Sequence, residues 1–185
     1  MYKRQALNIY LAEKLRAFHT DYPGIRLRIS NHSTPQALQA VKNGEVDFAV
    51  ITTPAEVESG LKMVELKPFY EVLVGGRTFT ALSSQNLSLK ELNNYPLISL
   101  SDESMTRAFY RQFFLDHGAV LKPDTEAATT DQMLTLVKSE LGIAFLPQTM
   151  AQDALARGEI VQLHLQEIIP QLSICLVYDH HRPLN

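Results

Sequence analysis

The chain has 185 residues, of which 45% are hydrophobic and 20% charged, and it carries a net charge of −3. That balance is ordinary for a globular protein with one good core or two small ones. It excludes an independent basic nucleic-acid-binding module and a disulfide framework, Cys175 being the single cysteine, and no apolar run is long enough to span a bilayer.

Met1-Tyr2-Lys3-Arg4-Gln5 matches what the end of a sequencing adapter would encode, and it is set aside from the fold. No uninterrupted apolar core follows it, so no secretory signal is read. Leu7, Leu11, Leu15, Phe18 and Tyr22 recur at helical spacing, and Pro23-Gly24 stops that helix. Ile25, Leu27 and Ile29 alternate with Arg26 and Arg28, the pattern of a half-buried or edge strand. Ser33-Thr34-Pro35 opens a second helix that ends at Asn43-Gly44. Val46–Ile51 is nearly all apolar, as in a parallel strand covered on both faces.

After a loop, Tyr70–Val74 is a strand closed by Gly75-Gly76, and Ser88 with Glu91 forms a capping-box pattern for a short helix. Leu97–Leu100 is a strand, and a helix bearing Phe109 and Phe113 ends at Gly118. Thr129-Thr130-Asp131 opens a helix running to Glu140, Ile143–Leu146 is a buried strand, and a helix through Ala151 and Leu155 ends at Gly158. Strands at Ile160–Leu165 and Leu172–Tyr178 complete an α/β class.

Two stretches resemble each other. Ser33-Thr34-Pro35-Gln36-Ala37-Leu38-Gln39-Ala40-Val41-Lys42 aligns with Thr129-Thr130-Asp131-Gln132-Met133-Leu134-Thr135-Leu136-Val137-Lys138, and each leads through glycine into an apolar strand. The match implies two similar lobes, each presenting a hydroxyl-capped helix start whose free N–H groups and positive dipole end attract anions. Helices in open α/β sheets begin at the carboxyl ends of strands, so two facing lobes would bring both starts to one cleft.

Catalytic and metal motifs are missing: there is no Gly-x-Ser-x-Gly, Walker loop, His-Glu-x-x-His or Cys-x-x-Cys. His180-His181 reads as a solvated tail, His32 as a loop residue beside the Ser33-Thr34 cap, and Cys175 as a small buried residue. Asp47 reads as a turn residue, Phe109 and Phe113 as core, and Arg26 with Arg28 as an exposed strand face or subunit contact. No metal, cofactor or catalytic residue is expected.

Leu15–Leu27, Leu38–Val50, Ser88–Ile98 and Val137–Pro147 together resemble the regulatory domain of LysR-type transcriptional regulators. They carry a phenylalanine before Tyr-Pro-Gly, a Gly-x-x-Asp turn into a strand, and a late Gly-Ile-Ala-x-x-Pro. The resemblance implies two Rossmann-like lobes around a cleft, similar to type 2 periplasmic binding proteins. Lobe I would be 1–67 plus 166–185 and lobe II 68–165, with hinges near Lys67 and Gln166. It implies a fragment shortened at both ends, with no DNA-binding domain, so DNA would be reached only through a missing N-terminal domain. It further implies a cytoplasmic bacterial sensor, a homo-oligomer paired through the first helix and the Phe109/Phe113 helix, and a small-molecule effector, here expected to be an anion. Ser33, Thr34, Ser99, Ser101, Thr129 and Thr130 are the effector-binding residues so implied, and first-strand contacts would fall at or before Gln5. A periplasmic-type solute-binding protein and a cleft enzyme are the alternatives.

Overall fold

The computed structural model describes residues 6, 10–30 and 32–182, and within these the chain folds as two units. One comprises Met1–Pro68 with Leu172–Asn185, and the other Phe69–Gln171. Expectations for Met1–Gln5 and Leu7 fall outside the described residues.

The first unit contains α1 (Ala12–Asp21), α2 (Thr34–Asn43), β1 (Phe48–Thr52), β2 (Leu61–Phe69) and β9 (Leu172–Asp179), with the sheet in the order β1-β9-β2. Val41 and Ala37 of α2 pack with Ala49 and Ile51 of β1 and with Cys175 and Val177 of β9. β1 runs antiparallel to β9, pairing Phe48 with Tyr178 and Thr52 with Ile174. This corrects the parallel expectation for Val46–Ile51. An all-apolar run reports burial on both faces and is silent about strand direction. The strand expected at Ile25–Ile29 is also corrected. Among the described residues the segment has no ladder partner, and Ile25, Leu27 and Ile29 are exposed. Nor does α1 bury a residue, so its apolar spacing found no core in this unit.

The second unit is a three-layer α/β sandwich. Its strands are β3 (Glu71–Gly76), β4 (Asn86–Leu87), β5 (Leu97–Leu100), β6 (Thr125–Ala127), β7 (Ile143–Pro147) and β8 (Ile160–Leu165), ordered β4-β8-β3-β7-β5-β6. β5 lies parallel to both β6 and β7, whereas β3 is antiparallel to β7 and β8. Successive residues of these strands point to opposite faces. Leu73, Leu97, Ile143 and Phe145 therefore meet α3 (Met105–Asp116) through Tyr110, Phe113 and Phe114. Val74, Ile98, Ala144 and Leu146 meet α4 (Thr130–Lys138) and α5 (Gln148–Ala156) through Met133, Val137 and Ala151. Phe113 belongs to the core, and the ring of Phe109 stacks on it.

The helix expected to reach Glu140 ends at Lys138, because Glu140 adopts a left-handed φ of 65°. Its carboxylate accepts the Arg77 and Thr78 N–H groups at 2.9 and 3.0 Å, tying the turn to the 3-10 segment Arg77–Leu82. Of the box expected at Ser88 and Glu91 only half forms: the Ser88 N–H and hydroxyl both donate to the Glu91 carboxylate at 2.7 Å, the Glu91 N–H goes to the Ser88 carbonyl, and the turn that follows is 3-10 in form (Glu91–Asn94) with Lys90 as its cap. The division between the two units falls after Gln171. The residues before it are fastened to the second unit: Gln166 N–H donates to Leu87 O at 2.9 Å, Glu167 accepts the Leu89 N–H, and the Tyr70 hydroxyl donates to Gln171 at 2.8 Å.

Candidate functional site

Each unit builds a helix start of the same local design. In α2 the N-cap is Ser33, in extended conformation, and Gln36 reaches back to accept the Ser33 N–H at 3.1 Å. In α4 the N-cap is Thr129, whose hydroxyl accepts the Gln132 N–H at 3.3 Å, while Gln132 accepts the Ala128 N–H at 2.9 Å. The glutamine three residues past the cap reaches back to a backbone N–H in both, that of the cap itself in α2 and that of the residue before the cap in α4. Ser33 and Thr129 act as caps. Thr34 and Thr130 stand one residue further on, free of that duty.

Thr34 differs from its counterpart in burial. It is 2% exposed, and its hydroxyl has no hydrogen-bond partner among the described residues. A buried hydroxyl left unpaired costs about 1–3 kcal/mol, so its retention at a helix start needs an explanation beyond the fold.

In the second unit Ser99 and Thr130 come together on one small cavity beside the start of α4. Ser101 does not line it; its N–H donates to Ala127 O at 3.1 Å, closing the end of β5. Ser33 and Thr34 belong to the first unit. The cavity brings in four polar residues that the sequence reading missed: Glu71, Thr106, Arg107 and Tyr110. Arg107 is 8% exposed, and one of its η nitrogens donates to Leu100 O at 2.9 Å and to Glu126. Its Nε lies 3.1 Å from Asp102 without the alignment of a hydrogen bond. The Tyr110 hydroxyl donates to Glu71, itself 6% exposed. Burial first, and the Glu71 carboxylate second, push the Tyr110 phenol well above its ordinary range, so it remains a neutral donor.

The remaining ionisable residues weighed from the sequence belong to the first unit. His32 and Asp47 are exposed, and His180 contacts the Gly60 carbonyl at 2.8 Å. Burial raises the Cys175 thiol, which disfavours the reactive thiolate. Among the described residues no cluster of three or more His, Cys, Asp or Glu could hold a metal ion, and no helix is long and apolar enough to cross a membrane.

The model of the LysR substrate binding domain matches residues 6–185. The chain belongs to that family. Among curated LysR-type relatives, the HTH-type transcriptional regulator SsuR of Burkholderia cenocepacia is 25% identical over 158 residues, covering 85% of this chain and 51% of SsuR. A probable nitrogen assimilation transcriptional activator of Synechococcus elongatus is 26% identical over 147 residues, covering 78% of this chain and 48% of that protein. The chain thus spans about half the length of the curated relatives it matches. The regulatory domain of Synechocystis CcmR, solved with 2-PG, superposes with a TM-score of 0.86 at 20% identity, over 100% of this chain and 88% of that one. The effector-binding domain of QuiR, solved with shikimate, gives 0.84 at 18% identity, over 100% and 87%. These structures establish a shared LysR effector-domain fold, type 2 periplasmic-binding-protein-like in architecture.

A sign of the missed LysR-domain residues was present in the sequence. Arg107 is spaced three and seven residues from Tyr110 and Phe114, on the apolar face of α3, and a charge on such a face is buried with partners. Glu71 opens an otherwise apolar strand in the same way.

Proposed function

We propose that this chain is the effector-sensing part of a LysR-type transcriptional regulator and that its effector is a small anion. Lobe I of that sensor is the first unit and lobe II the second, and each lobe presents a helix start suited to an anion. Ser33, Thr34, Thr129, Thr130, Ser99 and Ser101 are the proposed effector-binding residues. The observation that carries this reading is the buried Thr34 hydroxyl in the first turn of α2, which has no hydrogen-bond partner among the described residues. A helix N-terminus offers N–H donors and a partial positive charge, and a bound carboxylate or oxyanion would complete that hydroxyl.

The sensor works by differential binding: an effector that fits one arrangement of the intact regulator better shifts its population toward it. DNA is contacted by a separate domain of the intact protein, in the cytoplasm, and the effector is sensed without turnover. Homo-oligomerisation is part of the proposal, supported by α1, which buries none of its residues and leaves Phe18 and Tyr22 exposed.

A thermal-shift screen of carboxylates, inorganic oxyanions, cations and neutral apolar compounds tests the ligand class. Anions are expected to raise the melting temperature of this chain, since whatever binds only the folded state stabilises it. A screen returning only cations or apolar compounds would overturn the reading.

A further inference from the structure

The cavity of the second unit is small, about 20 Å³. A single water-sized group needs about 10–15 Å³. The space therefore admits one or two such groups, the end of a metabolite and not its whole. Besides Tyr110, three hydroxyl-bearing residues line it: Ser99 at 8% exposure, Thr106 at 7%, and Thr130. None of these side chains has a hydrogen-bond partner among the described residues. Arg107, the one cation of the wall, is matched by Glu126, Asp102 and the Leu100 carbonyl, and Glu71 adds a further carboxylate that takes the Tyr110 hydroxyl. No positive charge is left over for an anion. A neutral hydroxyl, which both donates and accepts, suits a wall that carries unpaired threonine and serine side chains.

We propose that this cavity receives an uncharged hydroxyl of the effector while the anionic group lies at the start of α4, which makes the effector a hydroxy acid. Thr130 serves both places, being the first residue of α4 and part of the cavity wall. The inference rests on the anion reading above.

Titration of this chain with two matched pairs, lactate against propionate and malate against succinate, tests it, with the Thr106 and Met133 methyl signals followed by NMR. Each hydroxy acid is expected to bind on the order of tenfold more tightly than its deoxy partner and to shift both methyl signals. Thr106→Val, with Ser99→Ala as a second variant, should bring the ratio toward one. Equal affinities within each pair, an unchanged ratio in both folded variants, or undisturbed methyl signals would overturn the hydroxyl site. If equal affinities came with weakened binding in Thr34→Val, the hydroxyl site would fall and the anion reading would stand. If none of the four acids bound, the hydroxyl site would fall, and the anion reading would be decided by the thermal-shift screen.

Discussion

Thr34 and Glu159 show how single residues divide between binding and stability. The cap of α2 is Ser33, so Thr34→Val keeps the cap and removes a buried hydroxyl that has no hydrogen-bond partner among the described residues. The variant should be as stable as the parent or more stable by about 1 kcal/mol, read from denaturant midpoints, while binding the effector less tightly. Destabilisation would show that the hydroxyl serves the fold. Glu159 sits between Lys138 and Arg157, which lower its carboxyl to about 2 from an ordinary 4.5. A carboxylate depressed in the folded state stabilises it above the ordinary value, and that contribution is lost as pH falls from about 4.5 through about 2. An NMR titration of the Glu159 carboxyl should have its midpoint near the lower value, and Lys138→Met should move it upward. Residue roles were only partly legible in the sequence. Hydroxyls at helix starts announce themselves by their spacing to a glutamine, whereas the meeting of Ser99, Thr106 and Thr130 depends on which strands and helices pack together.

At the scale of elements, Leu97–Leu100 and Ile160–Leu165 begin and end where alternation and turn residues put them. β2 was hidden, because Lys62, Glu65 and Lys67 interrupt its apolar pattern and most of the strand is exposed. Ile25–Ile29 failed in the opposite sense: alternation marks a segment able to pair, and pairing needs a neighbour that the described residues do not supply. Gly142 shows what a motif letter can mean physically. Its φ is 154°, and a Cβ there would run into the Pro96 carbonyl oxygen, which accepts the Ile143 N–H at 2.9 Å. Gly142→Ala should therefore cost more than about 1 kcal/mol and lower the melting temperature by several degrees. An unchanged melting temperature would mean that the start of β7 shifts freely away from Pro96.

For the whole molecule, class and family were legible because they rest on order and spacing across nearly the full length, which no local error disturbs. Strand direction was not, since it follows from long-range pairings such as that of Phe48 with Tyr178. The central claim is that the proposed anionic effector is recognised through the helix starts that carry Thr34 and Thr130. Isothermal titration of an anionic ligand against the parent, Thr34→Val and Thr130→Val measures this directly, each variant first being shown to fold. Neither threonine is the cap of its helix, so both folds should persist. A hydrogen bond to a charged partner is worth roughly 1.5–3 kcal/mol, so each variant should lose on the order of tenfold to a hundredfold in affinity for the same ligand. Parental affinity in both folded variants would contradict the account.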